Sequence, residues 1–319
     1  WIRGARQLED MDIVAVASRT IETAQNAAKQ YRIPEALAYE TLIKREDIDV
    51  VYIPVPHHAH KELAILAMKH GKSVLVEKPV AINSHELQEM LDCARKNKVF
   101  FMEAVWTRFF PMVERIKQLI GEDGIGDVRA INCAFSYRTP DIALQGRTTN
   151  INLAGGGLLD VGVYNLHFCD IIYDKEPESL TGFASIGTDE HKLEVDEQAV
   201  YIALYDRGEL ASLASGVRTN MLDTAYIYGT KGRMVIPHFW KPTSMELTLE
   251  SGVTEISEPV PSCDPNEPDE GFQYEIAHVN ECLRKGLYES PVMTWAKSMS
   301  VMKQCDTLRQ QWGLKYPFE

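Results

Sequence analysis

Two short segments of the sequence carry side chains that could bind a cofactor and move a proton. The first, Glu77-Lys78-Pro79, places an ammonium group directly after an apolar run. The second is 155–167, which reads Gly-Gly-Gly-Leu-Leu-Asp-Val-Gly-Val-Tyr-Asn-Leu-His. On a helix, Asp160, Tyr164 and His167 lie four and then three residues apart, so they share one face. Burying three titratable groups on an otherwise apolar helix is costly, which favours a functional role for them.

A Tyr–Lys pair would suit acid–base chemistry at a carbinol. An unperturbed phenol has a pKa of about 10, which is high for proton transfer at neutral pH. The ammonium of Lys78, if close, is expected to favour the phenolate of Tyr164 and to lower its pKa. The pair could then move the proton that accompanies hydride transfer. Two alternatives stay open: Lys78 is a solvated residue at a strand end, and Tyr164 is a structural residue hydrogen-bonded to Asp160.

The elements that must position these residues alternate between strand and helix in the first third of the chain. Thr20 is expected to cap a first helix, Gly71 to end a second, and Asn83 or Ser84 to cap a third. Four apolar, β-branched runs predict buried strands at 12–18, 49–55, 73–76 and 99–102. Short links between them predict a parallel sheet with helices on both faces, in which ligands lie beyond the carboxyl ends of the strands.

The end of the first of these strands carries the signal for cofactor choice. Ser18-Arg19-Thr20 contains no acid that would bind a ribose hydroxyl, whereas Arg19 can pair with a 2′-phosphate. This favours NADP over NAD, although Arg19 could instead be solvated, or stack on adenine and accept either cofactor. The Gly-rich phosphate loop is not in the sequence, and we expect it, with a first strand, just upstream of Trp1, ~20 residues before Arg19.

The other strand ends supply further candidates for cofactor contacts. They are Ile53, Pro54, His57, His60, Glu77, Lys78, Pro79, Glu103, Ala104, Trp106 and Arg108. The histidines at 57, 58 and 60 also raise the question of a metal. No carboxylate cluster accompanies them, so we predict no metal site and expect His57 and His60 to line the crevice or cap the following helix.

After Trp106 the pattern changes. Helices are predicted near 111–120, from the glycine run to about 173, and at 270–285 and 293–310. Strands are predicted near 127–137, 178–187, 197–205, 209–217, 223–229, 232–236 and 244–249, with a Pro- and acid-rich loop at 261–268. Consecutive strands without intervening helices indicate a large, mostly antiparallel open sheet. The predicted organisation is a dinucleotide-binding Rossmann domain at 1–106 and an α/β domain that binds substrate at 107–319.

Composition excludes several classes of function. The net charge of −13 argues against binding to nucleic acid or to an anionic membrane. No apolar run approaches the ~20 residues of a membrane span. The six cysteines are scattered, without Cys-x-x-Cys or zinc-finger spacing, which favours a reducing cytoplasm.

Four segments, taken in order, resemble the glucose–fructose oxidoreductase / inositol dehydrogenase / MocA family. They are Val55-Pro56-His57-His58-Ala59-His60, Val76-Glu77-Lys78-Pro79, Glu103-Ala104-Val105-Trp106-Thr107-Arg108-Phe109 and the run from Gly155 to Tyr164. Tyr164 stands where many members carry His. With the Glu-Ala-Val-Trp-Thr-Arg-Phe stretch, this looks most like the dimeric dihydrodiol dehydrogenase and D-xylose dehydrogenase branch.

The resemblance implies an enzyme that uses NAD(P) to oxidise a secondary alcohol of a small sugar, polyol or cyclic diol. It implies Lys78 and Tyr164 as catalytic residues, supported by Asp160, and a homodimer or higher homo-oligomer formed through the open sheet. Substrate contacts are expected from Arg108, Tyr137, Arg138 and Trp240. The alternative is a non-catalytic NAD(P)-binding regulator, because the family fold also hosts transcriptional regulators.

Overall fold

The structure is a computed structural model that describes residues 1–144, 146–188, 190–261 and 270–319. Apart from Pro261, the Pro- and acid-rich loop predicted at 261–268 therefore lies outside the described residues, as does Cys263.

The first third alternates strand and helix as predicted. Its elements are α1 Ile2–Ala5, β1 Ala15–Ala17, α2 Ile21–Tyr31, β2 Glu35–Leu37, α3 Tyr39–Leu42, β3 Val50–Ile53, α4 His60–Lys69, β4 Ser73–Glu77, α5 Ser84–Asn97 and β5 Phe101–Ala104. The Thr20 Oγ accepts a hydrogen bond from the backbone N–H of Thr23, and Asn83 accepts one from Glu86 at 2.8 Å. Gly71 follows α4 with a φ of +76°. The predicted starts of α2 and α5 and the end of α4 are therefore confirmed.

The strands of this part form two separate parallel sheets. β1 pairs with β2, and β3, β4 and β5 pair in that order. Among the described residues no strand joins β1 to β3, and the further strand expected upstream of Trp1 stays a prediction. The elements β2 and α3 were not predicted, because both are short and β2 contains Glu and Ala, which have low strand propensity.

The rest of the chain builds a large sheet covered by helices. Its elements are α6 Pro111–Gly121, β6 Val128–Ser136, a π-helical turn Leu158–Gly162, α7 Val163–Tyr173, β7 Ser179–Ile186, β8 Asp196–Leu204, β9 Leu210–Gly216, β10 Thr224–Gly229, β11 Gly232–Pro237, β12 Ser244–Leu249, β13 Gly252–Ser257, α8 Phe272–Arg284 and α9 Trp295–Trp312. In the described chain the strand order is β13-β12-β11-β10-β6-β9-β8-β7, and every neighbouring pair except β6–β9 is antiparallel. The predicted open sheet is confirmed. The edge strand β13 was missed because its exposed residues lack a buried alternating face.

The last two helices return to the first sheet. The Trp295 indole donates to the carbonyl of Phe101 at 2.8 Å, and the Phe101 N–H donates to Tyr288 at 3.1 Å. Met102 on β5 packs in one apolar cluster with Val279 of α8. Helices α7 and α9 also cover one face of the large sheet. The carboxyl ends of β4 and β5 are thereby held against α7. The domain boundary proposed after residue 106 falls in the 3-10 turn Trp106–Phe109.

The opposite face of the large sheet is exposed and apolar at one edge. The outward side chains of β7, β8 and β9 include Phe183, Val200, Ile202, Leu204 and Leu210, of which Phe183 is 87% exposed. Phe183 lies opposite Val200 in the β7–β8 pair. We call these five residues the apolar face.

None of the helices among the described residues is long and apolar enough to cross a bilayer. The five described cysteines carry free thiols. The cytoplasmic location expected from the cysteine pattern stays a prediction.

Candidate active site

The centre of the candidate site is an interaction between Lys78 and Asp160. Lys78 follows β4, and its Nζ donates to the backbone carbonyl of Asp160 at 2.5 Å and lies 3.8 Å from the Asp160 Oδ1. Asp160 is in the π-helical turn and only 2% exposed. Its carboxylate also accepts hydrogen bonds from the Tyr137 hydroxyl and the Arg147 guanidinium. Two segments 82 residues apart in sequence are thus joined at one residue.

Asp160 remains ionised although it is buried. Burial by itself would raise the pKa of this carboxyl, but the charges of Lys78 and Arg147 and the hydrogen bond from Tyr137 hold it well below its ordinary value. A buried carboxylate with two cationic partners is a fixed negative charge. It can therefore orient the Lys78 ammonium throughout the physiological pH range.

Tyr164 lies beside Lys78, but the contact is with the ring rather than with the hydroxyl. The Lys78 Nζ is 5.0 Å from the ring centroid, and the hydroxyl oxygen accepts a hydrogen bond from the Trp106 indole at 3.1 Å. Burial raises the pKa of Tyr164 well above its ordinary value, and the carboxylate of Glu77 adds to this effect. The prediction that Lys78 lowers this pKa was wrong, because desolvation outweighs a cation held over the ring face.

The raised pKa of Tyr164 makes the residue suited to donating a proton. The phenol keeps its proton at neutral pH, and its oxygen already accepts from Trp106, so its own proton is available to an acceptor within hydrogen-bond distance. The structural alternative, a hydrogen bond from Tyr164 to Asp160, is not the one formed: Asp160 receives Tyr137 and Arg147 instead.

Aromatic side chains surround the Tyr164 ring. Phe135 lies 5.4 Å from it and Trp240 6.5 Å, measured between ring centroids. Phe135 and Trp240 stack on each other with nearly parallel planes, and Trp106 contacts Trp240. The candidate site therefore combines the Lys78 ammonium, a protonated phenol and a group of packed aromatic rings.

The glycine run before Tyr164 serves the protein's own packing. Gly156 has a φ of +123°, and a Cβ there would collide with the carboxylate of Asp196. A Cβ on Gly157 would come within 3.1 Å of Gly216 on β9. Asp196 is fully buried and accepts the Leu158 N–H at 2.6 Å. The group that the glycine backbone approaches in the structure is therefore a side chain of β8, which no local pattern in the sequence indicated.

Two of the predicted crevice histidines are buried near the site. His57 Nδ1 contacts the carbonyl of Ala154 at 2.9 Å, and its Nε2 is 3.9 Å from Asp160. Burial lowers the pKa of His57 to about 3, so it is neutral and donates to Ala154. His60 lies between the carbonyls of Val55 and Pro79, both at 2.8 Å. It thereby fixes the segment that follows Lys78.

The residues predicted to bind cofactor occupy several strand ends. Ser18, Arg19 and Thr20 follow β1, with Arg19 and Thr20 exposed. Ile53 is buried at the end of β3 and Pro54 is exposed. The Glu77 carboxylate accepts a hydrogen bond from the Tyr52 hydroxyl at 2.6 Å. Pro79, joined to Lys78 by a cis peptide bond, and Ala104 are both buried. Their contacts with a cofactor stay predictions.

Glu103 and Arg108 belong to a second cluster, away from the Lys78–Asp160 contact. His167 contacts both of them, and Arg108 forms a 2.5 Å ion pair with Asp170. Of the polar stripe predicted on one helix face, Asp160 and Tyr164 thus meet Lys78, whereas His167 joins this other cluster. No group of three or more potential metal ligands is found in the ranges that the structure describes.

Two features of the site were not predicted from the sequence: the ion pair of Arg147 with Asp160 and the hydrogen bond from Trp106 to Tyr164. Arg147 lies in an irregular segment with no periodic pattern, 13 residues before its partner Asp160. Tyr137 donates a hydrogen bond to Asp160, and its expected contact with substrate stays a prediction. Arg138 pairs with Asp141 at 3.0 Å on the surface.

Comparison with known proteins decides the family. Residues 2–105 match the model described as an oxidoreductase family with an NAD-binding Rossmann fold, and residues 113–235 match the GFO/IDH/MocA C-terminal domain. The chain belongs to the GFO/IDH/MocA oxidoreductases. It is therefore an NAD(P)-binding oxidoreductase, and the resemblance drawn from the four sequence segments is confirmed.

Curated relatives are similar over nearly the whole chain. The trans-1,2-dihydrobenzene-1,2-diol dehydrogenase of Xenopus tropicalis is 37% identical over 97% of this chain and 92% of its own length. The enzyme of the same name from Mus musculus is also 37% identical, over 96% and 90%.

Solved structures share the fold at lower identity. A 3-ketoreductase from Actinomadura kijaniata, in complex with NADP and TDP-benzene, matches with a TM-score of 0.86 and 19% identity over 98% of this chain and 93% of that chain. An aldose-aldose oxidoreductase from Caulobacter crescentus gives 0.86 and 22%, over 97% and 91%. These likenesses confirm the fold.

The environment of Asp196 generates a prediction about stability and pH. Burial raises the pKa of Asp196 to about 7, above the 3.8 of a free side chain. The folded state then holds a proton that the unfolded state loses, so stability falls as the pH rises from about 4 to about 7. Between pH 5 and pH 8 we expect the wild type to lose about 2 to 3 kcal/mol more than Asp196→Asn. Urea unfolding at both pH values measures the difference.

The matched control is Asp12→Asn, which removes an exposed carboxylate and should leave the pH slope of the wild type unchanged. Equal slopes for the wild type and Asp196→Asn would show that this carboxyl does not titrate in that range.

Proposed function

We propose that the chain transfers a hydride between NADP and a secondary alcohol or carbonyl of a small cyclic diol or sugar. The observation that carries the proposal is the convergence of Lys78 and Tyr164, from different elements, beside the stacked Phe135 and Trp240. A flat aromatic wall favours a ring-shaped substrate over an open-chain polyol. The names of the relatives, which specify a cyclic diol, agree with this substrate class.

The roles of the residues follow from their contacts. When bound, the nicotinamide cofactor accepts or supplies the hydride. In the direction of reduction, Tyr164, protonated at neutral pH, donates its hydroxyl proton to the substrate oxygen and the resulting phenolate takes up a proton from solvent. Oxidation is the reverse: Tyr164 first loses its proton to solvent, and the phenolate then accepts the proton of the substrate hydroxyl. Lys78, oriented by Asp160, places a positive charge where negative charge develops on that oxygen. Asp160 is the positioning residue for Lys78.

Cofactor preference is proposed from the end of β1. Arg19 is exposed there, and within the described residues it forms no ion pair or hydrogen bond with another side chain. A guanidinium available at this strand end can pair with the 2′-phosphate of NADP. The remaining strand-end residues, Ile53, Pro54 and Pro79 among them, would form the floor on which the cofactor lies.

We also propose a homodimer formed through the apolar face. Phe183, Val200, Ile202, Leu204 and Leu210 form a continuous exposed patch on three paired strands. Patches of this kind on a soluble protein mark interaction sites. A second copy presenting the same patch would bury it in a symmetric interface.

A non-catalytic regulator on the same fold is the competing hypothesis. A sensor has no need of a buried carboxylate that holds a lysine beside a protonated tyrosine. Purified protein is assayed for NADP- and NAD-linked turnover of a racemic trans-cyclohexanediol, D-xylose and trans-1,2-dihydrobenzene-1,2-diol. Turnover of at least one cyclic substrate supports the enzyme, whereas tight cofactor binding without any turnover supports the regulator.

The proposed proton donor is tested by removing its hydroxyl group. Tyr164→Phe keeps the ring, its contact with Lys78 and its packing, but removes the hydroxyl. We expect kcat to fall about a hundredfold or more, as for other general acids, with cofactor affinity nearly intact. Lys78→Met should also lower kcat, because it removes the charge beside the reacting oxygen. Steady-state kinetics and fluorescence titration with NADP measure both quantities. Tyr288→Phe, at an exposed site, is the control, and wild-type kcat in Tyr164→Phe would eliminate the proposed role.

The proposed preference for NADP is tested by removing the guanidinium of Arg19. Arg19→Leu should raise the Kd for NADP about ten- to a hundredfold, because an ionic hydrogen bond to phosphate is lost, and should change the Kd for NAD little. Isothermal titration with both cofactors tests this. Arg32→Leu, which removes an exposed arginine at the other end of α2, is the matched control. Equal losses for NADP and NAD in Arg19→Leu would contradict a phosphate contact.

The proposed homodimer is tested by placing a charge on the apolar face. Phe183→Lys should convert a dimer into a monomer, because it replaces the most exposed member of the apolar face with a charge. Val253→Lys makes the same change at a 60% exposed valine on the opposite edge strand and should leave the dimer intact. Sedimentation velocity gives the mass of each species. A monomeric wild type, or a dimer that survives Phe183→Lys, would rule out this interface.

A further inference from the structure

A buried polar network lies one helical turn from the candidate site. It connects the segment that follows Lys78 to helix α7, which carries Tyr164. At its centre is Glu103, the third residue of β5, which is 2% exposed. Its Oε1 accepts the backbone N–H of Val80 at 3.1 Å, and its Oε2 accepts the Ser298 hydroxyl at 2.6 Å. His167 Nε2 is 3.4 Å from the same Oε1. Three segments distant in sequence thus meet at one carboxylate.

The hydrogen bonds determine the tautomer of His167. Arg108 Nη2 lies 3.3 Å from His167 Nδ1, and a guanidinium can only donate, so Nδ1 accepts. Nε2 therefore carries the proton of the hydrogen bond between His167 and Glu103 and donates it to the carboxylate. Hydrogen bonds are thus donated in one direction through the network, from Arg108 to His167 and from His167 to Glu103.

The charges of the network are balanced. Arg108 pairs with Asp170 at 2.5 Å, and Lys297 reaches Asp170 at 3.4 Å. Burial would raise the pKa of Glu103, but His167, the Ser298 hydroxyl and the Val80 N–H lower it below its ordinary value. Glu103 is therefore an ionised acceptor, and removing one donor leaves a buried charge less well compensated.

The network contacts both elements that carry the proposed reacting groups, Lys78 and Tyr164. Val80 is two residues after Lys78, and His167 is three residues after Tyr164, on the same helix α7. Glu103 therefore holds the segment of Lys78 through one hydrogen bond and the helix of Tyr164 through another. We propose that His167 and Glu103 form a positioning pair that sets the distance between Lys78 and Tyr164. This rests on the proposed function of those two residues.

A purely structural network would stabilise the fold without affecting the reaction in particular. A positioning pair would affect the rate of the reaction specifically, because a displacement of about 1 Å in reacting groups can lower the rate about a hundredfold. The two roles differ in what a single lost hydrogen bond does. Loss of the His167–Glu103 bond should slow the hydride step, whereas loss of an outer bond of the network should only lower stability.

The test compares two substitutions at His167 that each retain one bond. In His167→Gln, the side-chain amide can still donate to Glu103, as Nε2 does. In His167→Asn, the shorter amide can only replace Nδ1 and accept from Arg108. Lys297→Met is the control, because it removes an outer, partly exposed member of the network. Thermal unfolding of each variant, with all kinetics measured well below the lowest midpoint, separates stability from rate.

The readouts are kcat, KM, the Kd for NADP and the deuterium isotope effect on kcat. The substrate is the one with the highest turnover in the screen, deuterated at the carbon that loses the hydride. In His167→Asn we expect kcat to fall about ten- to a hundredfold with a larger isotope effect, and Kd and KM to change less than about threefold. His167→Gln and Lys297→Met should stay within about threefold of the wild type.

Equal losses in His167→Asn and His167→Gln, or wild-type kcat and isotope effect in His167→Asn, would overturn the positioning pair. A rate loss in Lys297→Met as large as that in His167→Asn would also overturn it, since rate would then follow stability alone. Failure of the proposed function is a separate result: it would appear as wild-type turnover in Tyr164→Phe and Lys78→Met.

Discussion

The candidate site depends on the burial of one carboxylate, that of Asp160. A carboxylate removed from water must be compensated, and here Lys78 comes from the end of β4, Arg147 from an irregular segment and Tyr137 from the end of β6. Each partner is therefore constrained by the same charge. The cation is held beside the ring of Tyr164, although that ring belongs to the next turn of the helix. Because the buried charge of Asp160 must be compensated, four parts of the chain meet at the candidate site.

The second constraint is the close contact between the first sheet and α7. The returning helices α8 and α9 pack on β5, and Trp295 and Ser298 of α9 bond to Phe101 and Glu103 of that strand. The carboxyl ends of β4 and β5 are consequently fixed against the helix that carries Tyr164. Because Glu103 also accepts from the segment after Lys78, the same contact serves both domain packing and the geometry of the site. This explains why Glu103 and Arg108, predicted to bind cofactor, lie in a network of protein groups.

The pKa of Tyr164 illustrates how packing modifies an argument made from residue types. The Tyr–Lys proximity was predicted correctly, but the effect on the phenol was not, because the ammonium lies over the ring face and the hydroxyl is desolvated among Trp106, Phe135 and Trp240. A tyrosine that stays protonated is a proton donor first. In the proposed function, the aromatic groups that cause the desolvation also contact the substrate. The same aromatic packing would then determine both the charge state of Tyr164 and the shape of substrate that the site accepts.

The sequence alone was enough to predict the alternation of strands and helices, the caps at Thr20 and Asn83, the mostly antiparallel second sheet and the family. These follow from local periodicity and from motifs of contiguous residues. It also singled out Lys78, Asp160 and Tyr164, because a strand end and a helix face are local patterns. The tertiary structure alone decided that Arg147 and Tyr137 complete the Asp160 site, that Asp196 is the reason for Gly156, and that His167 turns toward Glu103. Those contacts join residues far apart in the chain, and burial, which sets their charge states, exists only once the chain has folded.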